Sequence, residues 1–217
     1  MMMKLYLYEH CPFCVRAQMI FGLRNVDYEQ LPLLNDDEET PIGMIGKKSL
    51  PILQRQDGQF MAESLDIVRY VDNLLGMPIL TGPTNPLITR WLNQASDTLF
   101  KLAIPRWALS PLPEFATPLA RAYFTQNKTR MLGSFTELMD QTPQLIAKAE
   151  HDLRNLAELL VPGRGCNGVL SDDDILLFPY LRALSIVANI DYPLEVNNYR
   201  LGMAMRSNVA LHDTIAI

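Results

Sequence analysis

Glu9-His10-Cys11-Pro12-Phe13-Cys14-Val15-Arg16 decides the reading of this chain, because two cysteines three positions apart stand where one kind of local order gives way to another. The preceding Leu5-Tyr6-Leu7-Tyr8 alternates and is aromatic, which predicts a strand. The following Ala17-Gln18-Met19-Ile20-Phe21 has helix formers at helical apolar spacing. A strand therefore ends and a helix begins at the cysteine pair. Amides at a helix start lack intrahelical partners and carry partial positive charge, so they favour a thiolate at Cys11. In such Cys-X-X-Cys settings a thiol pKa falls from about 8.5 to between about 3.5 and 7.5. Cys11 is thus the expected nucleophile. Pro12 has no N–H to leave unsatisfied and a φ suited to the first helical position. Cys14 lies on the same helical face, within reach of a short disulfide ring with Cys11.

Two other uses of such a pair are weaker. A structural zinc site takes four Cys or His ligands, with a second pair at similar spacing. The remaining candidates, Cys166, His10, His151 and His212, form no such pair, so no metal is expected. A cysteine pair three apart, with one other cysteine in the chain, is a poor staple for a fold. Redox chemistry is the reading that remains.

Composition narrows the class. The 217 residues suffice for one or two domains with a real core. A hydrophobic fraction of 48% and a charged fraction of 20% are those of an ordinary globular protein. A formal charge of −5 offers no basic surface for nucleic acid. No apolar run reaches the roughly 18 residues needed to span a bilayer, and no secretory leader is visible. Three cysteines without a disulfide framework suit a reducing compartment. A cytoplasmic monomer is the expectation.

Along the chain, the first helix is expected to end near Asn25, and Asp27-Tyr28-Glu29-Gln30-Leu31-Pro32-Leu33 reads as a second strand, parallel to the first across a βαβ unit. An acidic turn, Asn35-Asp36-Asp37-Glu38-Glu39, opens a short helix toward Ile45. Ser49 to Gln54 and Gln59 to Met61 flank Asp57-Gly58, an antiparallel hairpin signal. Leu65, Val68, Val71, Asp72 and Leu75 trace a third helix, stopped at Gly76. Residues 1–75 thus form an α/β domain with a mixed four-stranded sheet, and residues 76–86, dense in Pro and Gly, form a linker. Residues 87–217 read as all-helical, with helices expected over 87–103, 118–139, 143–160, 171–189 and 194–207. Ser171-Asp172-Asp173-Asp174 is a capping-box pattern with Asp at the third position, stapled by Leu170 onto Ile175, and the apolar helix behind it is the expected axis of the second half.

Weaker features lie elsewhere. Leu50-Pro51 precedes the third strand, where a proline is either a plain strand-start residue or a cis-proline that frees the Leu50 amide and carbonyl. Glu63-Ser64 precedes the third helix: Ser64 is its N-cap, or else the helix amide and the Ser64 hydroxyl hold a carboxylate while Glu63 holds an ammonium. His10 shapes the strand-to-helix turn or tunes the thiolate. Tyr8 reads as core. Cys166 reads as an incidental loop thiol, and Trp91 and Trp107 read as core with the cleft as alternative.

Together, Cys11-Pro12-Phe13-Cys14, Leu50-Pro51 and Glu63-Ser64 resemble a glutaredoxin-type thioredoxin fold, and the helical half with its Ser171–Asp174 box resembles the glutathione S-transferase architecture. Through Leu33-Leu34-Asn35-Asp36-Asp37 and Glu63-Ser64-Leu65-Asp66-Ile67-Val68, the chain resembles the bacterial glutaredoxin 2 family along essentially its whole length. That resemblance implies a glutathione-dependent thiol–disulfide oxidoreductase, with glutathione as co-substrate and disulfide or glutathionylated proteins as partners. It implies Cys11 and Cys14 as the catalytic pair, and Pro12, Phe13, Leu50, Pro51, Glu63 and Ser64 as the glutathione-binding residues. In that reading the Leu50 backbone ahead of cis-Pro51 pairs with the cysteinyl unit, and Glu63 and Ser64 take the γ-glutamyl end. Arg16, Lys47 and Lys48 are candidates for the glycine carboxylate, and a solvated charge is the plainer reading of each. One alternative is a cysteine-type glutathione transferase or dehydroascorbate reductase, for which Cys14 would be dispensable. A non-catalytic transferase-like scaffold is the other.

Overall fold

The computed structural model describes residues 2–217. Strand β1 (Met3–Leu7) buries Met3, Leu5 and Leu7 and turns Lys4 and Tyr6 the other way, as the alternation requires. It is a central strand of a four-stranded sheet in the order β2-β1-β3-β4. β2 (Tyr28–Pro32) lies parallel to it, with Leu5 opposite Gln30. β3 (Ile52–Gln54) runs antiparallel, with Leu53 opposite Leu5, and β4 (Phe60–Met61) closes the hairpin. Three helices complete this half: α1 (Pro12–Arg24), α2 (Glu39–Ile45) and α3 (Ser64–Asp72). α1 ends where Asn25 adopts a left-handed conformation, as expected, and packs against α3.

Third-helix length departs from expectation. α3 stops at Asp72, because the Asp72 carboxylate accepts from Ile79 N at 3.0 Å and Leu80 N at 3.3 Å and turns the chain into the connecting segment. Leu75, read as part of the helical stripe, is 59% exposed.

The second half is helical: α4 (Pro86–Leu109), α5 (Pro118–Leu132), α6 (Phe135–Asp140), α7 (Thr142–Ala157), α8 (Asp172–Leu184) and α9 (Leu194–Ser207), with 3-10 turns at Pro113–Phe115 and Asp213–Ile215. α4 runs past the expected end at 103 and through Pro105, ordinarily a helix breaker. Residues 102–108 are all buried, so tertiary packing overrides the local signal. The single helix expected over 118–139 is two, because Gly133 at φ +86° ends α5 and Ser134 caps α6 by accepting from Glu137 N. α8 is the buried axis, packed against α1, α4 and α9. Its start is the expected capping box: Asp174 accepts from Ser171 N at 2.8 Å, and also from Cys166 N at 2.7 Å and Tyr199 Oη at 2.9 Å. The helix ends at Leu184, short of 189.

α1 also packs against α9, joining the two halves. At Gly22 the approach is so close that a Cβ would lie 1.7 Å from the Ser207 carbonyl oxygen. No helix among the described residues is long and apolar enough to cross a membrane.

Candidate active site

β1 delivers the chain to the site, and α1 begins there with Cys11 at its N-cap and Pro12 at its first position. Cys14 is wholly buried, whereas Cys11 is partly exposed. The Cys11 thiol is held down to about 6, first by a hydrogen bond from Cys14, then by attraction to His10 and by the Cys14 and Phe13 amides, against the opposing effect of burial. Burial and the neighbouring Cys11 push the Cys14 thiol far the other way. Tyr8 N donates to Cys14 Sγ at 3.4 Å. The pair is therefore divided into an accessible thiolate and a sheltered thiol. The helix amides, expected to do most of this with His10 as a possible aid, come after both the Cys14 thiol and His10.

His10 is 8% exposed and bound from the other half of the molecule. Glu114, in the Pro113–Phe115 turn and fully buried, accepts from His10 N at 2.9 Å and lies 2.5 Å from His10 Nδ1. Burial alone would raise the Glu114 carboxyl, but these His10 bonds outweigh it and hold the group below the usual carboxylate range. The imidazole sits in an aromatic box: Tyr8 stacks at 5.7 Å, and Trp107, Phe115 and Phe124 have ring centroids at 4.9, 5.2 and 5.1 Å. Tyr8, read as core, also lines a cavity beside Cys11.

That cavity, about 550 Å³, opens between the two halves, walled by His10, Cys11 and Phe13 on one side and by Phe100, Trp107 and Phe124 on the other. Trp107 therefore faces the cleft. Trp91 does not, being buried with its Nε1 donating to Asp152 O at 2.6 Å. Lys48 closes one edge, bonded to Asn35 O at 2.8 Å and seated 3.8 Å from the Tyr123 ring centroid. Sequence reasoning missed Glu114, Phe124 and Tyr123, which carry no local pattern.

A second cavity of about 220 Å³ gathers Phe13, Ser49, Leu50, Pro51, Glu63 and Ser64. The Leu50–Pro51 peptide is cis. Glu63 rather than Ser64 holds the N-cap position of α3, at φ +67°, and no side chain caps that helix. Lys47, a candidate for the glycine carboxylate, instead pairs with Glu63 at 2.9 Å, and Arg16 lies over the Phe13 ring at 4.6 Å. Cys166 is buried away from both cavities by the α8 cap, its thiol pushed up by burial. Among the described residues no cluster of three or more His, Cys, Asp or Glu is arranged to hold a metal.

Comparison with known proteins locates this arrangement. Residues 87–216 match the model for the C-terminal domain of glutaredoxin 2, and residues 5–78 match the glutathione S-transferase N-terminal domain. Glutaredoxin 2 of Escherichia coli K12 is 48% identical over 215 residues, spanning 99% of this chain and all of that one. The chain belongs to the glutaredoxin 2 family. It is accordingly a glutathione-dependent oxidoreductase. The crystal structure of glutaredoxin 2 from Salmonella typhimurium in complex with glutathione superposes with a TM-score of 0.98 at 49% identity, covering 99% of each chain. A glutathione transferase of Phanerochaete chrysosporium shares the fold, with a TM-score of 0.74 at 14% identity over 95% of this chain and 97% of that one.

Proposed function

We propose that Cys11 is the attacking sulfur and Cys14 the resolving one, acting on disulfides and glutathione mixed disulfides of proteins. The observation that carries this is the division of the pair: a partly exposed Cys11 held as thiolate beside two cavities, with Cys14 buried behind it. The Cys11 thiolate attacks the glutathione sulfur of a mixed disulfide. A Cys11–glutathione disulfide forms, and the substrate leaves as a thiolate that takes up a proton. A second glutathione thiolate then attacks that sulfur, giving glutathione disulfide and regenerating Cys11. With a protein disulfide, Cys14 loses its proton and displaces the substrate from Cys11, closing the internal disulfide that two glutathiones reopen.

Glutathione is assigned to the smaller cavity. The Leu50 backbone ahead of Pro51 takes the cysteinyl unit, and Phe13, which lines both cavities, forms the wall beside the sulfur with Pro12 on the side of the larger one. The free amides of α3 and the Ser64 hydroxyl take the γ-glutamyl carboxylate, and Glu63 takes its ammonium. Support comes from the uncapped N-terminus of α3 and from the glutathione complex of the Salmonella relative. We divide the chain into units at 1–75 and 87–217 joined by 76–86, and read it as a cytoplasmic monomer; the three free cysteines fit a reducing compartment.

The test is glutathione-dependent reduction of a low-molecular-weight glutathione mixed disulfide by the native chain, Cys11→Ser and Cys14→Ser. Cys11→Ser is inactive and Cys14→Ser retains substantial turnover, because glutathione itself completes the cycle. A native chain that instead only conjugates glutathione to electrophiles would replace this reading with the transferase one.

A further inference from the structure

His10 adjoins the reacting cysteine, yet the group that holds its ring comes from a turn 104 residues away in the helical half. Because the Glu114 carboxylate accepts, Nδ1 carries a hydrogen whether the ring is neutral or charged, and Nε2 has no protein partner among the described residues. The second carboxylate oxygen, Oε2, is buried with no partner, so the Glu114 side chain bonds to His10 alone, while its carbonyl accepts from Asn35 N at 2.9 Å. A buried carboxylate left without donors is costly, whereas the two hydrogen bonds from His10 compensate it. A carboxylate orienting an imidazole that stands beside a nucleophile is a general arrangement for activating that nucleophile.

We propose that Glu114 is a positioning residue of the thiol–disulfide reaction: supplied by the helical half, it holds His10 by Nδ1–H so that the ring stands beside Cys11 and stabilises the attacking thiolate. The thioredoxin-like half thus carries the sulfur but not the whole electrostatic setting of the sulfur. The attraction of the Cys11 thiolate to His10 is consistent with this. Other titratable or charged groups near His10 are Tyr8, Cys14, His212, and Arg182 with its partner Glu9. Arg182 is a permanent cation committed to Glu9, and His212 is driven neutral by burial, to about 3. Neither changes charge where Cys11 titrates.

The inference rests on Cys11 as the attacking sulfur, and its test separates the two. In the reduced full-length chain, the rate of Cys11 alkylation by iodoacetamide is followed against pH by peptide mass spectrometry. Glu114→Gln keeps the shape and removes the charge; its Cys11 midpoint rises by about one pH unit. Turnover kcat falls severalfold below that pH while KM for glutathione stays near the native value, and Glu114→Asp restores part of the loss. Should Glu114→Gln not fold, Glu114→Asp, which keeps the charge and shortens its reach to Nδ1, shows a smaller rise in the same direction. A folded variant whose midpoint stays with the native one overturns the role of Glu114. A native midpoint near 9, rather than about 6, removes the attacking Cys11 and this inference with it.

Discussion

Arg182 on α8 donates to the Glu9 carbonyl at 2.5 Å and to the Glu9 carboxylate at 3.1 Å, so the axis of the helical half grips the chain two residues before Cys11. The guanidinium is 5% exposed and also holds Ala210 O at 2.8 Å. Arg182→Met leaves these acceptors unpaired and is expected to cost about 3 kcal/mol, since breaking a buried pair from one side is more damaging than replacing both partners. Urea unfolding read by tryptophan fluorescence measures it; a loss under about 1 kcal/mol would show that the grip is incidental.

Gly22 offers a steric prediction at the second joint. Its Cα faces the Ser207 backbone with no room for a methyl group. Gly22→Ala must push α1 and α9 apart and is expected to destabilise by about 3 kcal/mol or more. A thermal midpoint unchanged within a degree or two would contradict the packing described.

At the start of α8, Asp174 gathers Ser171 N, Cys166 N and Tyr199 Oη. Asp174→Ala orphans two buried amides and a buried hydroxyl, with an expected loss of about 3 kcal/mol or more and faster hydrogen exchange across α8. Asp174→Asn, which keeps one acceptor, should lose less. Equal losses for the two would mean that the charge rather than the bonding matters.

A pH dependence follows from Cys11. Its thiol is depressed in the folded chain to about 6 from about 9, so the folded state binds fewer protons than the unfolded one between those values. Stability contributed by the thiolate is fully present above the unfolded value and is lost as pH falls through about 6. The Cys14 thiol, displaced upward, acts with the opposite sign only above its ordinary value. Reduced native chain should therefore gain stability from pH 6 to pH 9 relative to Cys11→Ser, measured by denaturant midpoints across that range. Parallel curves for the two chains would refute the depressed thiol.

What could be read from the residues alone was whatever local order dictates. Strand alternation at Leu5 and Leu7, the Asp57-Gly58 turn and the Ser171–Asp174 box each act within a few positions, and the architecture follows from them. Errors arose where distant packing decides. Pro105 looks like a stop, yet the core on every side of residues 102–108 carries the helix through. Leu75 fits a helical stripe, but the Asp72 carboxylate takes the Ile79 and Leu80 amides and turns the chain away from the helix. The same division runs through the site. The two cysteines, Leu50-Pro51 and Glu63-Ser64 stand out as short motifs, whereas Glu114 meets His10 only after the chain has folded back on itself. Nothing in Pro113-Glu114-Phe115 announces that meeting.

The unequal shelter of the two sulfurs has a consequence for traffic. Cys14 has no surface of its own, so whatever approaches the pair from outside meets Cys11 alone. A single open port makes the order of contact a property of the architecture: the outer atom is met first. Two copies meeting in solution can likewise touch through one sulfur each, with the inner one out of reach of either partner.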